Sequence, residues 1–132
     1  MSDALIEAYG TTLEEAFENA AKGLTDTMID LKTVRPEKDI QFSAKGYDLY
    51  SLLFDWLDKV LLLLVADQIA MSQFSIKITQ DSNGYSIEGT TRGEPLDLDR
   101  HGYKVEIKAV TYHQMDIKQE KGMVTVRFLL DL

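Results

Sequence analysis

The 132-residue chain contains no cysteine. Disulfides, thiolate metal sites and cysteine nucleophiles are therefore excluded, and the composition fits the cytosol. Proline is nearly absent, with 2 residues, and no Ser/Gly-rich or repeated stretch marks a linker. One domain is expected, large enough to bury a core. Basic residues are scarce: 14 Lys and Arg stand against 22 Asp and Glu, a net charge of −8. Gripping nucleic acid needs cations that displace counterions from phosphates. No direct nucleic-acid binding is expected, and a protein, a metal or a nucleotide–metal complex is the better contact. The same charge also serves plain solubility. The most apolar run, Val60 to Ala66, falls far short of the ~20 residues that cross a bilayer. Met1-Ser2-Asp3 opens no basic-then-apolar secretion signal. A cytoplasmic protein without membrane attachment is the expectation.

What is present is regular patterning. Asp3 to Tyr9 reads as a strand closed by Gly10. Thr12, followed by Leu13-Glu14-Glu15, predicts a capped helix start in which the hydroxyl and the Glu15 carboxylate satisfy free N–H groups. Leu13, Phe17, Ala20, Leu24 and Met28 then recur at helical spacing, with Glu14, Glu18, Lys22 and Asp26 mostly on the other side. This helix is expected to end near Ile29 to Leu31, before Pro36. Asp39 to Lys45 alternates as a strand up to Gly46. Tyr47 to Ala66 reads as a second helix whose wide apolar face, Leu49 through Leu64, needs a sheet to lie on. From Phe74 the period becomes two. Asp81-Ser82-Asn83-Gly84 signals a hairpin returning through Tyr85 to Arg92. Gly93 to Gly102 reads as a polar loop, Lys104 to Gln119 as a long, bulged strand, Lys121-Gly122 as a turn and Met123 to Asp131 as the last strand. The pattern predicts an α+β two-layer domain, two helices packed on a mostly antiparallel sheet.

Self-sufficient chemical motifs are missing. There is no P-loop, dinucleotide fingerprint, His-Glu-x-x-His or nucleophile elbow. Gly10, Gly46, Gly84 and Gly93 read as scattered turn glycines. Three features remain: Asp3 at the start of the first strand, Asp131 followed by Leu132 and the terminal carboxylate, and Lys108 inside the apolar segment Ile107 to Val110. Acidic strand ends supply the hard oxygen donors that Mg²⁺, Ca²⁺ or Mn²⁺ prefer. Each feature also has a plain structural explanation, a solvated turn aspartate or a strand-edge lysine. His101 and His113 are the only imidazoles, too few for a zinc site. Glu94, Asp97 and Asp99 lack the spacing of an EF-hand loop.

Several segments taken together resemble the archease family. They are Asp3 to Ala20 with Ile-Glu-Ala-Tyr-Gly-x-Thr-Leu-Glu-Glu-Ala-Phe, then Met28-Ile29-Asp30, then Asp48-Leu49-x-Ser51-Leu52-Leu53-Phe54-x-Trp56-Leu57. Arg92-Gly93-Glu94 with Arg100-His101 follows, then Glu106-Ile107-Lys108-Ala109-Val110-Thr111-Tyr112-His113, and the ending Phe128-x-x-Asp131-Leu132. The resemblance spans nearly the whole chain in order. It implies a non-catalytic, cytosolic activator of the RtcB-type tRNA-splicing ligase, which joins a 2′,3′-cyclic or 3′-phosphate RNA end to a 5′-hydroxyl. That ligase uses GTP and Mn²⁺ and passes through a guanylylated histidine; the activator speeds guanylylation and restores multiple turnover. By residue-by-residue transfer the resemblance assigns a divalent metal ion (Ca, Mg or Mn) to Asp3, Asp131 and Leu132, the last through a main-chain or terminal oxygen. Lys108 matches the lysine implicated in activation.

One departure stands out. Relatives begin earlier, with a strand before Asp-His-Thr-Ala-Asp, whereas Met1-Ser2-Asp3 fills the last three motif places here. The single domain, residues 1–132, is thus expected to lack the family's first strand, with Met1 an internal methionine of a longer protein. An open sheet edge then favours self-pairing into oligomers. Two other readings stay open. A generic chaperone-like adaptor uses an acidic surface and an apolar patch without metal. A small metal-dependent hydrolase uses Asp3, Asp131 and Lys108, although no nucleophile or general base adjoins them.

Overall fold

The computed structural model describes residues 2–132. In chain order the elements are β1 (Asp3–Gly10), α1 (Leu13–Met28), a short 3₁₀ turn (Leu31–Thr33), β2 (Lys38–Gly46) and α2 (Leu49–Val65). Four strands follow: β3 (Ile69–Asp81), β4 (Gly84–Pro95), β5 (Ala109–Glu120) and β6 (Met123–Asp131). The expected order and the two-helix α+β architecture are borne out. The expected single sheet is instead two three-stranded sheets, ordered β1-β6-β5 and β2-β4-β3, with all four pairings antiparallel. Each helix packs against strands of both sheets, so one continuous apolar cluster serves all layers.

Trp56 shows how that core is joined. Its ring is fully buried and meets Phe42 of β2 and Phe74 of β3 edge-on, at 4.8 and 5.8 Å between centroids. Its indole N–H donates to the Phe17 carbonyl of α1 at 2.9 Å. One side chain therefore fixes α2 against both a sheet and the other helix without leaving a buried donor unpaired.

The ends of the elements correct several expectations. Thr12 caps α1 as predicted, its hydroxyl accepting the Glu15 N–H at 3.1 Å. The Glu15 carboxylate, however, takes the N–H of Thr11 at 2.8 Å, one residue before the cap. α2 begins at Leu49 rather than Tyr47 because Asp48 and Ser51 form a reciprocal capping box. The hairpin's positive φ of 136° falls on Gly84, not Asn83. Gly93 is no turn glycine and the loop does not start there. It lies inside β4, where a Cβ would run into the Ala70 carbonyl oxygen and sit 2.7 Å from the Met71 Cα. β3 bulges beside it, between Met71 and Gln73. β5 starts at Ala109, not Lys104, so Lys108 precedes the strand instead of lying within it.

Both edges of the second sheet are sealed by helix side chains, through one spacing rule. Residues four apart on a helix rise ~6 Å, and residues two apart on a strand ~6.8 Å. Glu18 and Glu14 of α1 accept the outward N–H groups of Ile76 and Ile78 on β3, at 2.9 and 3.3 Å. On the opposite edge Asp55 of α2 accepts the Lys45 N–H at 2.9 Å, and Lys59 donates to the Ser43 carbonyl at 3.2 Å. The acids of α1 are thus not a simply solvated face, as their spacing suggested; two of them stand in for a neighbouring strand. An exposed edge is a template for unwanted pairing. Replacing Glu18 with Ala is expected to cost about 1–2 kcal/mol by stranding a strand N–H. Adding Glu14→Ala costs further stability and increases self-association. Urea unfolding and light scattering of the single and double variants check this; an unchanged midpoint in the double variant contradicts it.

Candidate functional site

β6 lies in the middle of the first sheet, so its last residue has a strand on either side. Asp131 stands directly opposite Asp3 of β1 and directly opposite Ala109 of β5. Residues directly opposite across a sheet share a face, with Cβ atoms ~5 Å apart. The inward positions of these strands are Ala4, Ile6 and Ala8 against Val126, Phe128 and Leu130, all packed in the core. Asp3 and Asp131 therefore sit on the other, open face, Asp3 exposed and Asp131 half-buried.

Backbone hydrogen bonds pin this end. The Lys108 N–H donates to the Asp131 carbonyl at 2.8 Å, and the Leu132 N–H donates to the Ser2 carbonyl at 3.0 Å. Lys108, Asp3 and Asp131, far apart in sequence, thereby meet at one tip, with the Lys108 side chain exposed. The Leu132 side chain packs against the core. Among the described residues neither aspartate belongs to an ion pair. Two carboxylates held on one face repel unless a cation lies between them. The donor set that the resemblance assigns, two carboxylates plus a main-chain or terminal oxygen of Leu132, is all hard oxygen. That fits Ca²⁺, Mg²⁺ or Mn²⁺ completed by water or a partner's oxygens. Among the described residues no group of three or more His, Cys, Asp or Glu side chains is placed to hold a metal ion, so a cation at the tip would need oxygens from water or a partner as well.

The imidazoles and loop acids go elsewhere. His113 is exposed on an irregular part of β5. His101 is fully buried, and it belongs to a clasp that holds the loop after β4. Its Nδ1 accepts the Asp97 N–H at 3.0 Å, so the ring proton is on Nε2, which donates to Glu94 Oε2 at 2.8 Å. The same oxygen receives Arg100 Nη2 at 2.6 Å and the Arg35 N–H at 2.8 Å. The 2.9 Å approach of Arg100 to the His101 ring follows from both donors pointing at one oxygen. The Asp97 carboxylate is used internally, accepting the N–H groups of Asp99 and Arg100, both at 3.2 Å. Beyond the clasp, the Lys104 N–H donates to the Met28 carbonyl at 2.8 Å. Ile107 is buried, and the next residue is Lys108. The segment leading to the tip is thus tethered along its length. A loop-stabilising role for His101 beside Arg100 is readable from the sequence, but its Glu94 partner is not, since an irregular loop with no period to read joins the two.

Arg100 above all holds the Glu94 carboxyl down, from 4.5 to about 2; burial opposes this, and the Arg35 amide and His101 assist. An unfolded glutamate ionises near its ordinary value, so the stabilisation is complete above pH 4.5 and is lost as pH falls from there towards 2. Glu94→Gln is expected to cost about 2 kcal/mol at neutral pH and to flatten this part of the acid-unfolding profile. Denaturation of both proteins across that window checks it; parallel profiles contradict it.

The chain was compared with known proteins. The model of the Archease protein family (MTH1598/TM1083) matches residues 1–132. A protein archease from Methanopyrus kandleri is 37% identical over 131 residues, covering 99% of this chain and 94% of that one. One from Methanothermobacter thermautotrophicus is 38% identical, covering 99% and 93%. The solution structure of Methanobacterium thermoautotrophicum protein 1598 superposes with a TM-score of 0.82 at 37% identity, covering 100% of this chain and 94% of that chain. With sequence and fold in agreement over the whole chain, this protein belongs to the archease family.

Proposed function

We propose that this protein is a non-catalytic activator of an RNA ligase of the RtcB type, working in the cytoplasm and acting through the Asp3–Asp131 tip. The observation that carries the reading is the register: two aspartates from opposite ends of the chain face each other, and the backbone N–H of the lysine expected to act with them is hydrogen-bonded to the backbone carbonyl of the second. Family membership supports the same reading.

The residues have separable tasks. The Asp3 and Asp131 carboxylates, with a main-chain or terminal oxygen of Leu132, would hold the divalent cation. A bound divalent cation supplies charge neutralisation and orientation of phosphates, the main demands of nucleotidyl transfer. Lys108, exposed on a flexible stem, holds a phosphate or orients one of the acids. The two strands flanking β6 keep the tip stiff enough to enter a partner's cleft without reordering, which lowers the entropic cost of docking. The hydrolase reading has less support, because neither imidazole comes to the tip as a general base.

In a guanylylation assay with ligase, GTP and Mn²⁺, the wild-type chain is expected to raise both the rate and the number of turnovers. Asp131→Ala is expected to lower that stimulation by about ten-fold or more, and Lys108→Ala to lower it while leaving cation binding in place. Full stimulation by a folded Asp131→Ala protein contradicts the proposal. A chain that stimulates unrelated clients equally favours the adaptor reading instead.

A further inference from the structure

β5 contains an irregularity much larger than a single-residue bulge. Thr111 pairs with Leu129 and Asp116 with Arg127, so Tyr112 to Met115 stand opposite Phe128 alone. The excursion is built into the fold. Thr111 Oγ1 donates to the Leu129 carbonyl at 3.0 Å and accepts the His113 N–H at 3.3 Å. Gln114 takes a left-handed φ of 56°, a conformation that a non-glycine residue holds only when its surroundings impose it. Bulges at sheet edges re-aim side chains. Here the effect is to lay the Tyr112 ring flat on Phe54 of α2, with centroids 4.4 Å apart and planes 7° from parallel.

The outer face of that stack is open. Tyr112 remains 54% exposed, and Tyr47, just before α2, is 80% exposed. The surrounding charge is mostly negative. Asp48 caps α2, Asp55 follows about two turns later, and Asp116 accepts the Tyr50 hydroxyl at 3.4 Å. The facing cations are Lys59, 3.1 Å from Asp55, and Arg127, 3.8 Å from Asp116; Asp48 has no cation partner among the described residues. Burial above all pushes the phenol pKa of Tyr112 up, and Tyr47, Asp48 and Asp55 add to the shift.

We propose that the Tyr112–Phe54 stack, with Tyr47 and the carboxylates of Asp48, Asp55 and Asp116, docks an arginine-bearing segment of a protein partner. A guanidinium is planar, stacks on an aromatic face and bonds carboxylates in its own plane. A nucleic-acid base also stacks on tyrosine, but its phosphates meet these acids and a chain of net charge −8. The surface begins three residues along β5 from Ala109, the neighbour of Asp131, or ~10 Å from the tip.

The test uses three labelled probes on the full chain: an alternating Arg–Gly peptide, a Lys–Gly peptide of equal charge, and oligouridylate. Anisotropy gives affinity, and amide chemical shifts give location. The arginine peptide is expected to bind about five-fold more tightly than the lysine peptide, shifting amides of residues 47–55 and 111–116. Tyr112→Leu keeps an apolar plate on Phe54 and loses the π face, so it is expected to remove the arginine preference. Tyr47→Leu, at a position with little packing to lose, is expected to weaken it as well. Equal binding of both peptides, shifts centred elsewhere, or oligouridylate shifting the same amides overturns the proposal.

Discussion

The constraint on which the site depends is that the chain's last strand is an interior strand. Chain ends ordinarily fray unless tied down. β6 is hydrogen-bonded along both sides, to β1 and to β5, and its final carbonyl and the amide beyond it are bonded as well. A carboxylate one residue from the terminus is therefore held as firmly as one in the middle of a sheet. Were β6 at an edge, Asp131 would pair with only one neighbour, and Asp3 and the Lys108 backbone could not both lie beside it.

The rest of the molecule supports that arrangement in layers. α1 and α2 bury one face of the β1-β6-β5 sheet, leaving its other face, with Asp3 and Asp131, open. The clasp of Glu94, Arg100 and His101 anchors the irregular segment that leads to Lys108. Its three donors on a single carboxylate oxygen are strong because the acceptor is buried and ionised. The second sheet shares no strand with the first. Its edges are sealed by the helices, so the same side chains that prevent unwanted strand pairing also fix α1 and α2 relative to that sheet.

Much of this was legible in the sequence, and the remainder was hidden for physical reasons. Periodicity identified both helices and all six strands in order, because their faces alternate between core and solvent. The boundaries at Leu49, Gly93 and Ala109 were misread because caps, close backbone approaches and irregular tethers leave no periodic trace. Asp3, Lys108 and Asp131 could be named from a resemblance, but only the antiparallel register brings them together. The β5 excursion was foreseen as a bulge without its size or its stacking partner, since Phe54 and Tyr112 lie on elements that no local pattern connects.

The measurement that tests the central claim most directly is titration of the isotope-labelled chain with Mn²⁺, following which amide signals broaden first. The account predicts that residues 2–4, 107–109 and 130–132 broaden together at low Mn²⁺, and that excess Ca²⁺ or Asp131→Ala reverses the effect. Broadening that begins at the acids around Asp97 and Asp99, or persists unchanged in the folded Asp131→Ala protein, would contradict the assignment of the cation site to the tip.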